Sequence, residues 1–326
     1  MIDILSIDII KNAQKRIGDF VKKTPLIHSA FFSELCKGTV YLKLENQQLT
    51  NSFKIRGAFN RMLQLSREEK KKGVITASSG NHALGVALAA KHIGISTKIV
   101  VPTKISKAKL DKLNKYDVMI IQEGNYDEVE NIAKKLSFDE GLTYISPYND
   151  IEIIAGQGTI GIEIFEELGH INSIIIPVGG GGMVSGIAIA LKHLDPTIKI
   201  IGVQTKGAST MYESWKKGKV VSVKETNTLA EGLSGGLESG ALTFKIIKKF
   251  VDEIKIVKER NIKKAITLLW EKEQQVVEGA GATSVAYIIE NKKQFKDKII
   301  VAVISGGNIE ESLFQKIIKK DELLNR

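Results

Sequence analysis

Cysteine is almost missing from this chain of 326 residues, in which Cys36 is the single example. One thiol cannot form an intrachain disulfide, so the chain is typical of a reducing compartment. The five histidines do not occur in pairs with the spacing of metal ligands. We therefore predict no bound metal.

Long apolar runs are missing as well. No stretch approaches the roughly 20 consecutive apolar residues that a membrane-spanning helix needs. Residues 1–22 are amphipathic and mixed in charge, and they lack the apolar core and the cleavage site of a signal peptide. We therefore expect a soluble, cytoplasmic protein with no membrane partner.

Aromatic residues make up only 6% of the chain, although its formal net charge is +10 and its pI is about 9.3. Nucleic-acid interfaces combine clustered basic residues with aromatic side chains that stack on bases. Here the lysines are spread along predicted helix faces, as at Lys134-Lys135 and Lys216-Lys217. We interpret the charge as solvated surface with some attraction for anionic substrates, and we expect no nucleic-acid partner.

Apolar, strand-like segments alternate with helical segments along the chain. The predicted strands are residues 40–44, 74–77, 97–101, 117–121, 142–146, 171–178, 199–204, 253–257 and 298–305. The predicted helices are residues 2–22, 52–64, 83–92, 106–115, 126–136, 157–168, 183–194, 209–217, 241–250, 261–276 and 278–290. Continuous apolar runs between helices are typical of parallel strands. The predicted fold class is therefore α/β, with open, twisted, mostly parallel sheets flanked by helices.

The strands within residues 74–146 form an alternation of their own, which is compatible with a small parallel sheet. A polar turn at residues 147–150 follows this segment. We predict two domains: a large one from residues 1–73 and 148–326, and a small, mobile one from residues 74–147.

A lysine stands in the first turn of a predicted helix, because the helical pattern begins near Ser52 and Lys54 follows two residues later. The partial positive charge at a helix N-terminus disfavours a second cation there, which lowers the pKa of a lysine. A neutral amine is the form that attacks a carbonyl to make a Schiff base. Taken alone, Lys54 fits either a reactive amine or an ordinary solvated lysine.

Four consecutive glycines, Gly179 to Gly182, stand between a predicted strand and a predicted helix. Without Cβ atoms their backbone N–H groups are accessible, and together with the helix N-terminus they suit a phosphate. The run matches neither the dinucleotide-binding glycine motif nor a Walker A motif. A tight turn is the structural alternative, but a turn does not require four glycines, so we predict a phosphate site.

Two more polar segments stand at strand ends. Residues 78–82 offer two serine hydroxyls, the Asn81 amide and helix-start N–H groups, which suit a carboxylate but also fit plain N-capping. His82 could be a base, although a histidine at a helix start is more often structural. Ser305 ends the last strand and would point into the same crevice, although a turn serine is the favoured interpretation when this residue is considered alone.

A reactive lysine, a phosphate site and a group facing a ring nitrogen are together what pyridoxal phosphate requires. From Thr24 to Asn308 the chain resembles the fold type II pyridoxal-phosphate enzymes, whose fold is tryptophan synthase β-like. It is most similar to their branch of serine/threonine dehydratases and serine racemases. The motifs that carry the resemblance lie at residues 52–58, 79–83, 178–183 and 305–308. Gly80-Asn81-His82 differs from the Gly-Asn-Thr of cysteine synthases, which disfavours β-replacement chemistry.

The resemblance implies a role for each site residue. Lys54 would hold the cofactor as a Schiff base and act as a catalytic residue with Ser79. The other implied cofactor-binding residues are Phe53 beside the ring, Asn81 at the 3′-oxygen, Gly179, Gly180, Gly181, Gly182 and Met183 at the phosphate, Ser305 at the ring nitrogen, and Gly232 and Glu278 along the ring. The residues implied to bind the substrate carboxylate are Ser78, Ser79, Asn81 and His82.

The resemblance implies α,β-elimination, which converts L-threonine and/or L-serine to 2-oxobutyrate or pyruvate plus ammonia. Lys54 would remove the Cα proton as general base, and the β-hydroxyl would leave. The chain resembles the short, catabolic type without a regulatory domain, and family members are usually homodimers or homotetramers. The choice between threonine, serine and other hydroxy amino acids stays open.

Several residues depart from the family pattern. Asn51 replaces a usual glycine, and Leu84 replaces a usual glutamine. Ser79 replaces the alanine of many threonine dehydratases and matches the serine that reprotonates Cα in racemases, so it favours a racemase. Gln204 and Thr210 stand where racemases have cation-binding carboxylates, which weakens binding of Mg²⁺ or Ca²⁺ and favours a dehydratase.

We therefore favour a dehydratase, with a serine racemase that has side dehydratase activity as the alternative. A non-catalytic nucleotide-binding protein is a third possibility. It would explain the glycine run at residues 179–182, but neither Lys54 nor Ser305.

Overall fold

The computed structural model describes residues 6–322 of the chain. Its strands are β1 (Leu26–His28), β2 (Thr39–Leu44), β3 (Val74–Ala77), β4 (Thr97–Val101), β5 (Met119–Gln122), β6 (Thr143–Tyr144), β7 (Ser173–Pro177), β8 (Lys199–Thr205), β9 (Glu253–Val257) and β10 (Ile299–Ile304). Its helices are α1 (Ile7–Ile17), α2 (Ala30–Cys36), α3 (Lys54–Leu63), α4 (Arg67–Lys72), α5 (Asn81–Ile93), α6 (Lys107–Leu113), α7 (Val129–Glu140), α8 (Ile151–Leu168), α9 (Gly182–Leu194), α10 (Thr210–Lys217), α11 (Leu242–Phe250), α12 (Glu259–Glu273), α13 (Gly279–Asn291) and α14 (Glu311–Glu322). Among these helices, none combines the length and the apolar composition needed to cross a membrane.

The larger sheet has six strands in the order β1-β2-β10-β7-β8-β9. Only β1 is antiparallel to its neighbour, and the remaining pairs are parallel. The last strand of the chain, β10, lies between β2 and β7, with Ile304 opposite Leu44. The loops that follow β2, β10 and β7 therefore leave the sheet side by side at its carboxyl edge, where ligands of parallel sheets bind.

The smaller sheet has four parallel strands in the order β5-β4-β3-β6, all within residues 74–144. Helices pack against both sheets, and their apolar residues are buried. The predicted α/β class with mostly parallel sheets is thus confirmed. The domain boundaries at residues 73/74 and 147/148 stay a prediction.

Several elements differ from the sequence prediction. The helix predicted at residues 2–22 is described over Ile7–Ile17, and residues 2–5 lie outside the described part. Helix α8 begins at Ile151 rather than at residue 157, because the Asp150 carboxylate caps it by accepting the Glu152 N–H at 2.7 Å. The elements β1, α2, α4 and α14 were not predicted.

Helix α8 is the common support of α3 and α9. A Cβ on Gly156 would lie 2.7 Å from the Gly57 Cα of α3, and a Cβ on Gly158 would lie 2.9 Å from the Gly186 carbonyl oxygen of α9. The backbones of the three helices therefore approach more closely than any side chain would allow. This contact fixes the positions of α3 and α9 relative to each other.

Candidate functional site

Backbone hydrogen bonds join the loops that follow β2 and β10. The Phe53 N–H donates to the Ser305 carbonyl at 3.2 Å, and the Gly307 N–H donates to the Asn51 carbonyl at 2.8 Å. The Glu278 N–H, in turn, donates to the Gly306 carbonyl at 3.1 Å. These bonds bring Lys54, Ser305 and Glu278 to one crevice, as the sequence interpretation requires.

The Lys54 side chain is half-buried in this crevice. Its Nζ donates to the Pro147 carbonyl at 2.7 Å and lies 5.3 Å from the centre of the Phe53 ring. Loss of hydration lowers the pKa of Lys54 to about 8, and the attraction of the Glu278 carboxylate opposes this effect only in part. A substantial fraction of this amine is therefore neutral near pH 8.

The four glycines form a cradle at the start of α9. Gly181 has φ +90°, which a side chain would strain, and a Cβ on Gly180 would overlap the Tyr148 ring. Met183 is buried in the first turn of the helix, where N–H groups have no partner within the helix. Gly232 lies beside this cradle, since a Cβ on Gly179 would come 3.4 Å from its carbonyl oxygen.

Asn81 is held between two other side chains. Its Nδ2 donates to Glu278 Oε1 at 2.7 Å, and its Oδ1 accepts a hydrogen bond from Asn308 Nδ2 at 2.8 Å. Burial raises the pKa of Glu278, although the Asn81 hydrogen bond acts in the opposite direction. Because an amide nitrogen carries two hydrogens, Asn81 retains one N–H for a ligand in the crevice.

The loop after β3 carries the two serines. Ser78 Oγ accepts the Gly80 N–H at 3.1 Å and thereby shapes the turn. Ser79 is buried, and its Oγ lies 2.8 Å from the hydroxyl oxygen of Tyr126. The sequence did not point to Tyr126, because a single tyrosine at the start of the predicted helix 126–136 carries no motif; in the structure the helix begins at Val129, and Tyr126 lies in the loop before it.

His82 is buried next to Lys54 and is neutral over the physiological range. Burial, and then the positive charge of Lys54, lower the pKa of His82 to about 3. Its Nε2 lies 3.1 Å from the Ile145 carbonyl, so the neutral ring carries its hydrogen there. Nδ1 is then an acceptor, and it has no hydrogen-bond partner among the described residues.

Gln204, which stands where the resembling racemases have a cation-binding carboxylate, has a structural role in this protein. Its Oε1 accepts the Tyr212 N–H at 2.7 Å in the first turn of α10. The neighbouring Thr210 hydroxyl is buried, with no partner among residues 6–322. Nowhere in the described part of the chain do three or more His, Cys, Asp or Glu side chains form a group able to hold a metal.

A buried cluster of four charges behind α3 was also missed. Arg56 donates to Glu45 Oε2 at 2.8 Å and to Glu163 Oε1 at 2.5 Å, and Lys43 donates to Glu163 Oε2 at 2.6 Å. Burial disfavours the charge of Arg56, but Glu45 and Glu163 outweigh this effect and raise its pKa. The signal in the sequence was Lys43 inside an apolar strand, since a buried lysine needs a partner.

Fold and site together define an α/β enzyme with a lysine, a phosphate cradle and a crevice between two sheets. The family model described as "Pyridoxal-phosphate dependent enzyme" matches residues 17–306. The chain therefore belongs to this family, whose members depend on pyridoxal phosphate. This result confirms the resemblance noted in the sequence and the predicted cofactor.

Three proteins of known name are similar to this chain over most of its length. The L-threonine ammonia-lyase of Thermotoga maritima is 43% identical over 318 residues, which cover 97% of this chain and 79% of the relative. The processed threonine deaminase isoform 2 of Solanum lycopersicum has a TM-score of 0.92 at 36% identity, with 98% of this chain and 89% of that chain covered. Maize serine racemase has a TM-score of 0.90 at 35% identity, with 98% and 99% covered.

The described residues fit the family's cofactor. Ser305 is only 3% exposed, and its hydroxyl has no hydrogen-bond partner within residues 6–322, so it can face a ring nitrogen. Gly180 and Gly181 pack so closely against Tyr148 and Ile247 that a Cβ would overlap these side chains, and the N–H groups at the start of α9 have no partner within the helix and can hold a phosphate. The amine of Lys54 reaches the same crevice in a partly neutral form.

Proposed function

We propose that this protein is a pyridoxal-phosphate-dependent ammonia-lyase that converts L-threonine and/or L-serine to 2-oxobutyrate or pyruvate plus ammonia. The observation that carries the proposal is the half-buried Lys54 amine together with a glycine cradle, at the carboxyl ends of the parallel strands β2 and β7, which flank β10. The relative from Thermotoga maritima, named a threonine ammonia-lyase, supports the same activity.

In this proposal the cofactor is held at each of its polar groups. Lys54 would hold its aldehyde carbon, the N–H groups of residues 179–183 would hold its phosphate, and Ser305 would face its ring nitrogen. The free N–H of Asn81 would donate to the 3′-oxygen, and Phe53, Gly232 and Glu278 would border the ring. When bound, the cofactor withdraws electrons from Cα of the amino acid and so stabilises the charge left there.

Lys54 is the general base of the proposed reaction. Its amine takes the proton from Cα, which requires the neutral form that a pKa of about 8 makes available. The Pro147 carbonyl accepts one N–H at 2.7 Å and so orients the nitrogen lone pair. Lys54 then gives this proton to the β-hydroxyl, which leaves as water while Lys54 returns to its neutral form, and the released enamine hydrolyses to the 2-oxo acid and ammonia.

The substrate carboxylate is placed at the start of α5. Ser78, Ser79 and Asn81 offer polar hydrogens there, and the helix N-terminus favours an anion. The neutral His82 ring directs its hydrogen to the Ile145 carbonyl, so His82 contributes its backbone N–H rather than its ring. The ring instead positions the segment that carries Pro147.

Replacement of Lys54 tests the proposal. Lys54→Ala should abolish 2-oxo acid release and the visible absorbance that borohydride bleaches in the wild-type protein. The matched control is Lys104→Ala, which removes an exposed lysine and should change neither property. A Lys54→Ala protein with full activity would contradict the assignment.

A second candidate function is serine racemisation, and the observation that favours it is Ser79, buried at the crevice with its hydroxyl in place. Incubation with L-serine, followed by chiral analysis and a pyruvate assay, separates the two functions. Accumulation of D-serine with little pyruvate would establish the racemase instead.

We also propose that the protein is a cytoplasmic homodimer or homotetramer. The basis is the usual assembly of the resembling family and the single cysteine. Light scattering coupled to size-exclusion chromatography measures the mass of the assembly, and a monomer at micromolar concentration would refute it.

A further inference from the structure

Asn308 ends the glycine-rich segment after β10, and its side chain makes three hydrogen bonds. Its Oδ1 accepts from Lys112 Nζ at 3.2 Å. Its Nδ2 donates to the Thr50 carbonyl at 2.8 Å and to Asn81 Oδ1 at 2.8 Å. An ammonium group only donates and a carbonyl only accepts, so the Asn308 amide has one possible orientation.

The orientation of Asn308 determines that of Asn81. Because both hydrogens of Asn308 Nδ2 are used, the atom of Asn81 that faces them has to be the acceptor Oδ1. Asn81 Nδ2 therefore faces the other side, where it donates to Glu278 Oε1 at 2.7 Å. A carboxylate only accepts, so Glu278 favours the same orientation. The two neighbours together exclude a flipped Asn81 amide.

Gly306 makes the contact between Asn81 and Glu278 possible. A Cβ on Gly306 would lie 2.6 Å from Glu278 Oε1 and 3.3 Å from Asn81 Nδ2. The Glu278 N–H also donates to the Gly306 carbonyl at 3.1 Å. Asn81 begins α5, which follows β3 of the four-stranded sheet, whereas Gly306 and Asn308 follow β10 of the six-stranded sheet. The segment after one sheet thus orients a side chain that follows the other.

We propose that Asn308 and Glu278 are positioning residues that hold an N–H of Asn81, and not its carbonyl, toward the 3′-oxygen of pyridoxal phosphate. The proposal rests on the proposed function. One N–H of Asn81 is bound to Glu278, and the other is left for the ligand. An N–H stabilises a 3′-oxygen that has lost its proton, whereas a carbonyl in the same place requires the 3′-oxygen to keep its proton. Through Asn81, the two residues determine the charge of this oxygen.

An exchange of the two flanking groups tests the proposal without changing the net charge. In the double variant Asn308→Asp/Glu278→Gln, residue 308 only accepts hydrogen bonds and residue 278 is able to donate them. Asn81 should therefore flip, so that its Nδ2 faces residue 308 and its Oδ1 faces residue 278. The flipped amide then presents its carbonyl to the cofactor.

The absorbance of the bound cofactor reports the flip. In the double variant the visible band should move to shorter wavelength, because a phenol absorbs at shorter wavelength than its phenolate. Affinity for pyridoxal phosphate, measured by titration of cofactor-free protein, should fall about 10- to 100-fold, because a hydrogen bond to a charged group is lost. A band that stays at the wild-type wavelength would refute the positioning role.

A second asparagine–glutamate pair provides the matched control. Asn261 Nδ2 donates to Glu290 Oε1 at 2.6 Å, between α12 and the end of α13 opposite to Glu278. The double variant Asn261→Asp/Glu290→Gln makes the same chemical exchange and should leave both the band and the affinity unchanged. If it shifts the band as far as the exchange at residues 308 and 278 does, the assigned role is wrong.

Urea unfolding of the cofactor-free protein gives a readout that needs neither cofactor nor turnover. Asn308→Asp alone places an acceptor on each side of Asn81, so its urea midpoint should fall below that of the wild type. Addition of Glu278→Gln should raise the midpoint again, because a flipped Asn81 satisfies both neighbours. The bond to Thr50 is lost in both variants and cancels. An equal recovery in an Asn81→Ala background would contradict the link through Asn81.

The wild-type holoenzyme provides a test that does not depend on the folding of any variant. In nuclear magnetic resonance spectra, the side-chain N–H signals of Asn81 are those that Asn81→Asp removes. They should show Overhauser effects to the γ hydrogens of Glu278. Effects to the side-chain amide hydrogens of Asn308 in their place would mean that the Asn81 amide is flipped, and the proposal would fail.

The outcomes separate this inference from the proposed function. If the cofactor binds and 2-oxo acid is released while the Asn308→Asp/Glu278→Gln variant keeps the wild-type band, the positioning role is wrong and the ammonia-lyase assignment stands. If the wild-type protein releases no 2-oxo acid, the proposed function fails. The urea midpoints and the Overhauser effects then still decide the orientation of Asn81.

Discussion

At the scale of single residues, the chemistry of Lys54 depends on the groups around its amine. Loss of hydration disfavours the ammonium form, whereas the Glu278 carboxylate favours it, and the balance lowers the pKa from 10.5 to about 8. The amine is therefore protonated below pH 8 and neutral above it. Only the neutral form can attack the cofactor's aldehyde or accept a proton.

The rate at which cofactor-free protein recombines with pyridoxal phosphate should therefore depend on pH. Below about pH 8 the rate should rise about tenfold per pH unit, and above pH 8 it should level off, because the neutral fraction of Lys54 then approaches one. Stopped-flow absorbance measures the rate. A rise that continues to pH 10 would mean that Lys54 keeps its ordinary pKa.

Asn51 gives a second residue-scale prediction. Its φ of +54° lies in the left-handed region, which explains why asparagine stands where the resembling family usually has glycine. Asn51→Gly should keep stability within about 1 kcal/mol, whereas Asn51→Val should cost about 1–3 kcal/mol. Urea unfolding monitored by circular dichroism measures both, and equal stabilities would exclude backbone strain at this position.

At the scale of elements, helix α3 is anchored by the charge cluster of Arg56, Glu45, Glu163 and Lys43. Arg56 stands two residues after Lys54, so the cluster determines where the first turn of the helix lies. Two cations and two anions balance one another in this buried environment. Removal of one member leaves a buried charge without a partner.

Arg56→Met should therefore destabilise the protein by about 3–5 kcal/mol. The matched control is Arg61→Met in the same helix, since Arg61 forms a partly exposed ion pair with Asp150 at 3.0 Å and should cost about 1 kcal/mol or less. Guanidinium unfolding gives both values. Similar losses of unfolding free energy in the two variants would show that the buried cluster stabilises the protein no more than a partly exposed ion pair does.

The sequence was informative where periodicity or glycine determines the structure. The apolar runs of β2, β7 and β10 were found, and with them the positions of Lys54, Gly179 and Ser305 at strand ends. Contacts between distant segments were not found, because nothing in the local pattern shows that Tyr126 meets Ser79 or that Arg56 meets Glu163. Helix α8 was predicted too short, because the capping role of Asp150 was interpreted as a turn.

At the scale of the whole molecule, two lysines on helices that pack against the four-stranded sheet form ion pairs with glutamates of residues 231–238. Lys109 contacts Glu231, and Lys134 lies 3.4 Å from Glu238, next to the Tyr148 and Asn149 loop. We propose that the predicted small domain, residues 74–147, closes over the substrate through these pairs. They are partly exposed, so each contributes little by itself.

Glu238→Gln should weaken closure without touching the reacting atoms. A pair of this kind contributes about 0.2–1 kcal/mol, so KM for the amino acid should rise by up to about fivefold while kcat changes little. Lys98→Met is the matched control, since Lys98 pairs with Glu140 within the same predicted domain. An equal rise in KM for both variants would show that the Lys134–Glu238 pair has no specific role in closure.

The close contacts of α8 have a consequence for how this scaffold can evolve. A Cβ on Gly57, Gly156 or Gly158 would overlap a neighbouring helix, so these positions admit no larger residue without moving Lys54 or the glycine cradle. Stepwise substitutions in these helices therefore cannot change the distance between the Lys54 amine and the phosphate site. New substrate preferences have to arise elsewhere, in residues 74–147 and in the loop at residues 229–240, where side chains can change while the cofactor keeps its place.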